Sequence, residues 1–259
     1  MNSMILNYDQ IANEYDQRYP SAQQWERGQA LLNLAGQVKA GPILEVGSGT
    51  GFWLTLLSQV TPSTFGLDFS LGMLKQAGNR PAPLKLSRGT AVQLPYRNES
   101  FDLIYCVDAI HHFGDQRAFI AEAFRVLKPK GALAVIGHDP HEASASNWYI
   151  YDYFEGVYDI DLRRYPSGAF VMEWMQSEGL QNVSSQVVEH IHNLHVGEGV
   201  FKDPFIKRNA TSQLALLEEG AYQTGLKKIT EALARAKAQD ERIVFRSEIF
   251  VKMLLGYKP

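Results

Sequence analysis

Between Gly41 and Gly137 the chain alternates short apolar runs with longer amphipathic stretches, and this rhythm limits the possible folds more than any other feature. Pro42–Val46, Thr64–Leu67, Leu84–Leu86, Phe101–Val107 and Ala132–Ile136 read as strands. Gly51–Gln59, a stretch carrying Met73, Leu74 and Ala77, and a stretch carrying Phe119, Ala123 and Val126 read as the intervening helices. Ser70 and Asp115 stand where N-caps are needed. Near-continuous apolar strands joined by helices imply a parallel sheet covered on both faces. Further on, Ser167–Glu178 reads as a helix, and Val183–His192 and Ile243–Leu255 read as two more strands. The expected fold is therefore α/β, a doubly wound, mostly parallel, seven-stranded sheet with a helical insert before the last strand. The expected layout is an N-terminal helical cap over 1–40, a core over 41–192 and 243–259, and a helical lid over 193–242. Within the cap, Ala22–Val38 reads as a helix and Tyr8–Tyr19 as a short helix or a flap. Residues 148–165 are crowded with aromatics, for which a mixed role is expected: lining a pocket for a flat or apolar acceptor, and building core and domain contacts.

Charge narrows the function. Twenty-five Lys and Arg against 28 Asp and Glu give a net charge of -3, with no basic surplus to hold a phosphate backbone, so no nucleic-acid partner is expected. The single cysteine, Cys106, excludes an internal disulfide framework and a cysteine-rich zinc site. Asp9 and Glu14 precede the first basic residue, Arg18, unlike a secretory leader. The charge-free run Val46–Leu67 is broken by four glycines and a proline, so it is not read as a membrane span. A cytoplasmic protein without a membrane span is expected.

The most informative site is Glu45-Val46-Gly47-Ser48-Gly49-Thr50-Gly51, which follows a strand and opens a helix. Glycines there let the backbone turn tightly and a ligand approach the main chain. A dinucleotide-binding loop of the G-x-G-x-x-G type would need glycine at 52, where Phe52 stands. Glu45 is placed to attract a cationic group. Asp68 closes the second strand, where a carboxylate can accept both hydroxyls of a ribose. In such a Rossmann-like sheet the ligand crevice lies beyond the carboxyl ends of the strands.

This acidic-x-Gly-x-Gly-x-Gly loop followed by Asp68 resembles the class I S-adenosylmethionine-dependent methyltransferases. Gly89-Thr90-Ala91-Val92-Gln93-Leu94-Pro95-Tyr96 with Phe101-Asp102, then Ala109-Ile110-His111-His112-Phe113, then Glu122 through Gly131, are similar to the methyltransferase type 11 group, which includes the ubiquinone/menaquinone-biosynthesis C-methyltransferases. The resemblance covers about residues 40 to 137. It implies that Glu45, Gly47, Ser48, Gly49 and Gly51 surround the methionine part and ribose edge of the cofactor. It implies further that Asp68 holds the ribose hydroxyls, that Phe69 and Met73 pack near the adenine, and that Ala91 and Leu94 border its edge. Asp108 and His112 would face the methyl-transfer end, and Tyr15 would close over the cofactor. Thr90 departs from the pattern, which has aspartate there to accept a bond from the adenine amino group. A threonine hydroxyl accepts that bond without a charge, at some loss of affinity.

Methyl transfer from a sulfonium needs alignment and water exclusion first, and a base only where the nucleophile must lose a proton. His112 is one candidate base. His138 and Asp139, followed by Pro140 and His141, form another candidate corner, for which a solvated turn is the competing reading. His190 and His192 share a strand face, with His195 nearby, but no carboxylate or thiol stands at a convincing spacing except Glu189, which would point the other way. No metal is expected. The expected function is an enzyme transferring a methyl group from S-adenosylmethionine to a small-molecule acceptor of aromatic or apolar character, with a homodimer as one assembly. The competing reading is a cofactor-binding protein without activity, acting through its helical insert as a partner-binding module.

Overall fold

A computed structural model describes residues 8–13, 15–18, 26–142 and 147–259. The beginning of the helix expected from Ala22 and the end of the Tyr8–Tyr19 segment lie outside the described residues. Two compact units divide the chain. The first holds Asn7–Asp139, Pro166–Glu189 and Val251–Pro259; the second holds Pro140–Tyr165 and His190–Phe250.

The sheet has seven strands in the order β3-β2-β1-β4-β5-β7-β6. They are β1 (Ile43–Val46), β2 (Thr64–Asp68), β3 (Lys85–Arg88), β4 (Phe101–Val107), β5 (Leu127–His138), β6 (Gln181–Val196) and β7 (Val244–Tyr257). The pairs β1–β2, β1–β4, β2–β3 and β4–β5 are parallel, and β5–β7 is antiparallel. The expected sheet is present in type, strand number and the location of the helical segment. All four residues of β1 are buried, as a central parallel strand covered on both faces demands. The weak sequence signal of β3, only partly buried, follows from its place at the sheet edge.

The helices of the first unit are α1 (Glu26–Gln37), α2 (Phe52–Leu57), α3 (Leu71–Gly78), α4 (Gln116–Val126) and α7 (Gly168–Ser177). Three of them, α3, α4 and α7, start at a side-chain cap. Ser70 accepts from the Met73 amide at 3.1 Å, Asp115 from the Ala118 amide at 2.9 Å and Ser167 from the Phe170 amide at 3.3 Å. One stripe of α4, Phe119, Ile120, Ala123 and Val126, packs into the main core with Leu44, Val46, Ile104 and Val135. The expected cap over 1–40 is not separate: its described residues belong to this unit.

The second unit has its own core. Trp148, Tyr149, Ile150 and Phe154 are buried with Leu214, Leu217, Ile229 and Phe245. Its helices are α5 (Tyr149–Tyr153), α6 (Val157–Arg164), α8 (Ser212–Ala215) and α9 (Glu219–Ala238). The expected boundaries are corrected here. Residues 140–165, assigned from sequence to the sheet core, belong with the helices, because their aromatic side chains build the second core. The residues His190–Val196 of β6 and Val244–Phe250 of β7 also fall in this unit. No described helix is long and apolar enough to cross a membrane.

Candidate cofactor and active site

The glycine loop leaves β1 and is tied to β2. The Gly47 and Ser48 amides both donate to the Leu67 carbonyl, at 2.8 and 3.0 Å. Gly47 has φ of 73°, and a Cβ there would sit 2.6 Å from the Ala109 Cβ, so only glycine fits. Gly49, with φ of 50°, has nothing within 4 Å of the Cβ position, so its backbone faces open space.

Asp68 stands at the centre of this arrangement. Its Oδ2 accepts from the Gly49 amide at 2.7 Å and its Oδ1 from the Ser70 amide at 2.8 Å. One carboxylate thus sets both the loop and the start of α3. Desolvation raises its pKa above the ordinary carboxylate range, against the pull of these amides. Glu45 lies deeper, 1% exposed, and accepts from the Tyr105 hydroxyl at 3.1 Å. Burial pushes its pKa well up, and Asp68 adds to the effect. Among the described residues neither carboxyl has an ion-pair partner. Two acidic groups without a neighbouring cation, beside an open glycine backbone, suit a positively charged ligand.

The N-terminal segment lies against the same place. Asp9 accepts from the Ser70 hydroxyl at 2.6 Å and the Gly72 amide at 2.7 Å, and these bonds lower its pKa. Gln76 donates to Asn13 at 2.7 Å, Thr50 donates to Asp16 at 2.5 Å, and Arg80 pairs with Asp16. The Tyr8 hydroxyl and His112 Nε2 share a hydrogen bond of 2.6 Å, and the Tyr15 ring meets the Tyr8 ring edge-on at 5.9 Å. Of these contacts the sequence suggested only that the segment is a flap bearing Tyr15. Residues this far apart in the chain carry no local signal of pairing.

The remaining expected residues divide. Phe69 is 67% exposed at the end of β2, with the Arg88 guanidinium 5.7 Å from its ring. It is open to stacking. Met73, expected near the adenine, is buried, 1% exposed, on α3. Ala91 and Leu94 belong to the main core, and Thr90, Val92 and Gln93 are the exposed residues of that turn. The turn is clamped by Glu122, whose Oε2 accepts from the Leu94 amide at 2.7 Å, and by Arg125, which donates to the Leu94 and Tyr96 carbonyls.

Asp108 follows β4 with φ of 47° and accepts from Arg27 Nη1 at 2.6 Å. The same guanidinium donates through Nε to Glu189 at 2.5 Å. Arg27 is the main residue that the sequence reading missed. His138 ends β5, the strand beside β4, and is half-buried. Asp139 Oδ2 accepts from the Gly168 amide at 2.7 Å, at the start of α7. Asp139 of the expected His138–Asp139 corner thus also ties the turn to the start of α7.

Comparison with known proteins bears on this geometry. A family model described as "Methyltransferase domain" matches residues 44–135, the span from β1 to the middle of β5. Those residues are similar to a methyltransferase domain. A demethylmenaquinone methyltransferase of Renibacterium salmoninarum is 29% identical over 133 residues, 49% of this chain and 55% of that protein. The chain thus spans about half the length of that relative. In fold, a putative methyltransferase from an antibiotic biosynthesis pathway of Anabaena variabilis matches with TM-score 0.70 at 21% identity, covering 93% of this chain and 99% of that one. A phosphoethanolamine N-methyltransferase 2 of Haemonchus contortus, solved with S-adenosyl-L-methionine, matches with TM-score 0.58 at 19% identity over 97% of this chain and 57% of that one. The bare Gly49 backbone, the exposed Phe69 and the two carboxyls without an ion-pair partner among the described residues fit S-adenosylmethionine, the ligand of that Haemonchus contortus structure.

Proposed function

We propose that this protein transfers the methyl group of S-adenosylmethionine to a small molecule of aromatic or apolar character. The observation that carries the reading is Asp68, which pins the Gly49 amide and the start of α3 together beside an open glycine backbone. When bound, the cofactor supplies a methyl group already activated on a sulfonium. The residues of this chain bind and align it. Asp68 keeps free lone pairs for ribose hydroxyls, Phe69 offers its face to the adenine, and Glu45 with Asp68 favours a cationic ligand. Tyr8, Tyr15 and His112 form a ring cluster that excludes water and presents a flat face to an acceptor. Where the acceptor is a hydroxyl or an acidic carbon, the Tyr8–His112 pair is the base. With Nε2 holding the phenolic proton, the Tyr8 oxygen can take one from the acceptor. The ring cluster, and a relative named for demethylmenaquinone, support an apolar acceptor.

Titration calorimetry with S-adenosylmethionine and S-adenosylhomocysteine, joined to a methyl-transfer assay over a metabolite panel, tests this. Tight binding of both ligands with turnover of one acceptor class is expected. Asp68→Ala should weaken binding by about 1–3 kcal/mol, since a charged acceptor is lost from a partly buried site. Binding that is unaffected by the substitution removes Asp68 from the cofactor site. Binding without turnover on any acceptor favours a partner-binding module instead.

A further inference from the structure

Away from the glycine loop, three side chains of ligating chemistry meet on two neighbouring strands. His190 and His192 lie two residues apart on β6 and so share a face. β7 is the neighbour of β6 in the sheet, and it contributes Glu248. Glu248 Oε1 is 3.6 Å from His190 Nε2 and 3.9 Å from His192 Nδ1, and one ligand atom from each residue lies within 4.8 Å of the other two. Tetrahedral coordination with bonds of about 2.0–2.1 Å places ligand atoms about 3.3 Å apart. Small side-chain rotations close that difference. The three side chains remain accessible to an ion, at 40%, 45% and 24% exposure. The His190 ring stacks on Phe250 at 4.2 Å and 10°, which limits its rotation. Arg246 Nη1 lies 3.8 Å from Oε2, the other oxygen of Glu248, so that cation need not leave for Oε1 to coordinate.

We propose that His190, His192 and Glu248 bind a divalent cation of the zinc type, with the fourth position open to water or to an oxygen of a small ligand. Two imidazoles and one carboxylate match zinc and its late first-row neighbours. Calcium and magnesium prefer sites built from more oxygens. The ion ties β6 to β7 through side chains, across the helical unit's strand pair. The linear spacing hid this site, because its carboxylate comes from a strand 56 residues further along the chain than His192.

The test uses the full untagged chain, stripped of metal with a chelator and dialysed. Co²⁺ added to it should bind with one-to-one stoichiometry and give the visible absorption of a four-coordinate cobalt centre, which Zn²⁺ then abolishes by displacement. His192→Ala and Glu248→Gln should each weaken Zn²⁺ binding at least about tenfold. His141→Ala, which lies outside the cluster, should leave it unchanged. Circular dichroism of each variant checks that the fold is kept, and the substituted residues belong to neither core. Binding that is absent, or equal in the wild type, His192→Ala and Glu248→Gln, overturns the proposal and leaves an ordinary histidine–carboxylate pair. Tight binding that is lost only in His141→Ala overturns it in favour of the His138–His141 turn.

Discussion

Arg27 shows how one side chain can hold a site that it does not enter. It is 3% exposed, donates to Asp108 and Glu189, and lies 5.8 Å from the Trp53 ring. A buried cation is tolerable only while paired, and so are carboxylates facing it. Arg27→Met should cost about 3–5 kcal/mol, read as a fall in the urea midpoint at constant slope, because two carboxylates lose their shared partner. A cost below about 1 kcal/mol would mean that water replaces the guanidinium freely. Asp161 makes the opposite point. Burial raises its pKa to about 6, although the Tyr151 hydroxyl donates to it at 2.9 Å and Arg164 is near. A folded-state pKa above the unfolded one gives stability that is complete below the ordinary carboxylate value. That stability is lost as pH rises through about 6. The melting temperature of the wild type relative to Asp161→Asn should therefore fall as pH rises from about 4 to about 6, and level off above it. A difference that rises with pH would contradict the sign.

At the scale of elements, the residues divide by how far apart their partners lie in sequence. The glycine loop, the caps Ser70 and Asp115 and the strand β4 were legible because each depends on neighbours a few residues away. The N-terminal segment was legible only as a flap. Its anchors, Asp9 on Ser70 and Gly72, Asp16 on Thr50 and Arg80, and Tyr8 on His112, join residues from 34 to 104 positions apart. The burial of Met73 and Leu94 was not legible for a related reason: a motif gives the order of residues but not which face of a turn reaches the core. The aromatic run 148–165 carries a mixed expectation, and burial of Trp148, Tyr149 and Phe154 supports its core part. The anchors also make the flap testable. Asp9→Ala removes the acceptor of both the Ser70 hydroxyl and the Gly72 amide. The expected result is faster hydrogen exchange at 70–73 and a raised KM for S-adenosylmethionine, with turnover at saturation less affected. Asp9 owes its lowered pKa first to the Ser70 bond, so the latch is complete above the ordinary carboxylate range and weakens as pH falls through the lowered value. Unaltered exchange at 70–73 would show that the flap does not rest on Asp9.

At the scale of the whole molecule, two cores divide the work. Leu44, Ile104, Phe119 and Val135 belong to one and Trp148, Phe154, Leu214 and Phe245 to the other. Every residue assigned to the cofactor lies in the first unit, whereas the helices and the His190–His192–Glu248 cluster lie in the second. A ligand stabilises the part of a protein whose folding creates its site, by about 2.7 kcal/mol at a hundredfold excess over Kd. Differential scanning calorimetry should therefore show a transition broader than two-state, with calorimetric enthalpy above the van't Hoff value. S-adenosylhomocysteine should move one component upward by a few degrees and leave the other near its place. Limited proteolysis during the scan assigns the components, since peptides from 41–139 should gain protection and those from 201–240 should not. If the whole curve moves as one sharp two-state transition, the strands β6 and β7, which contribute to both units, couple the cores into a single cooperative structure.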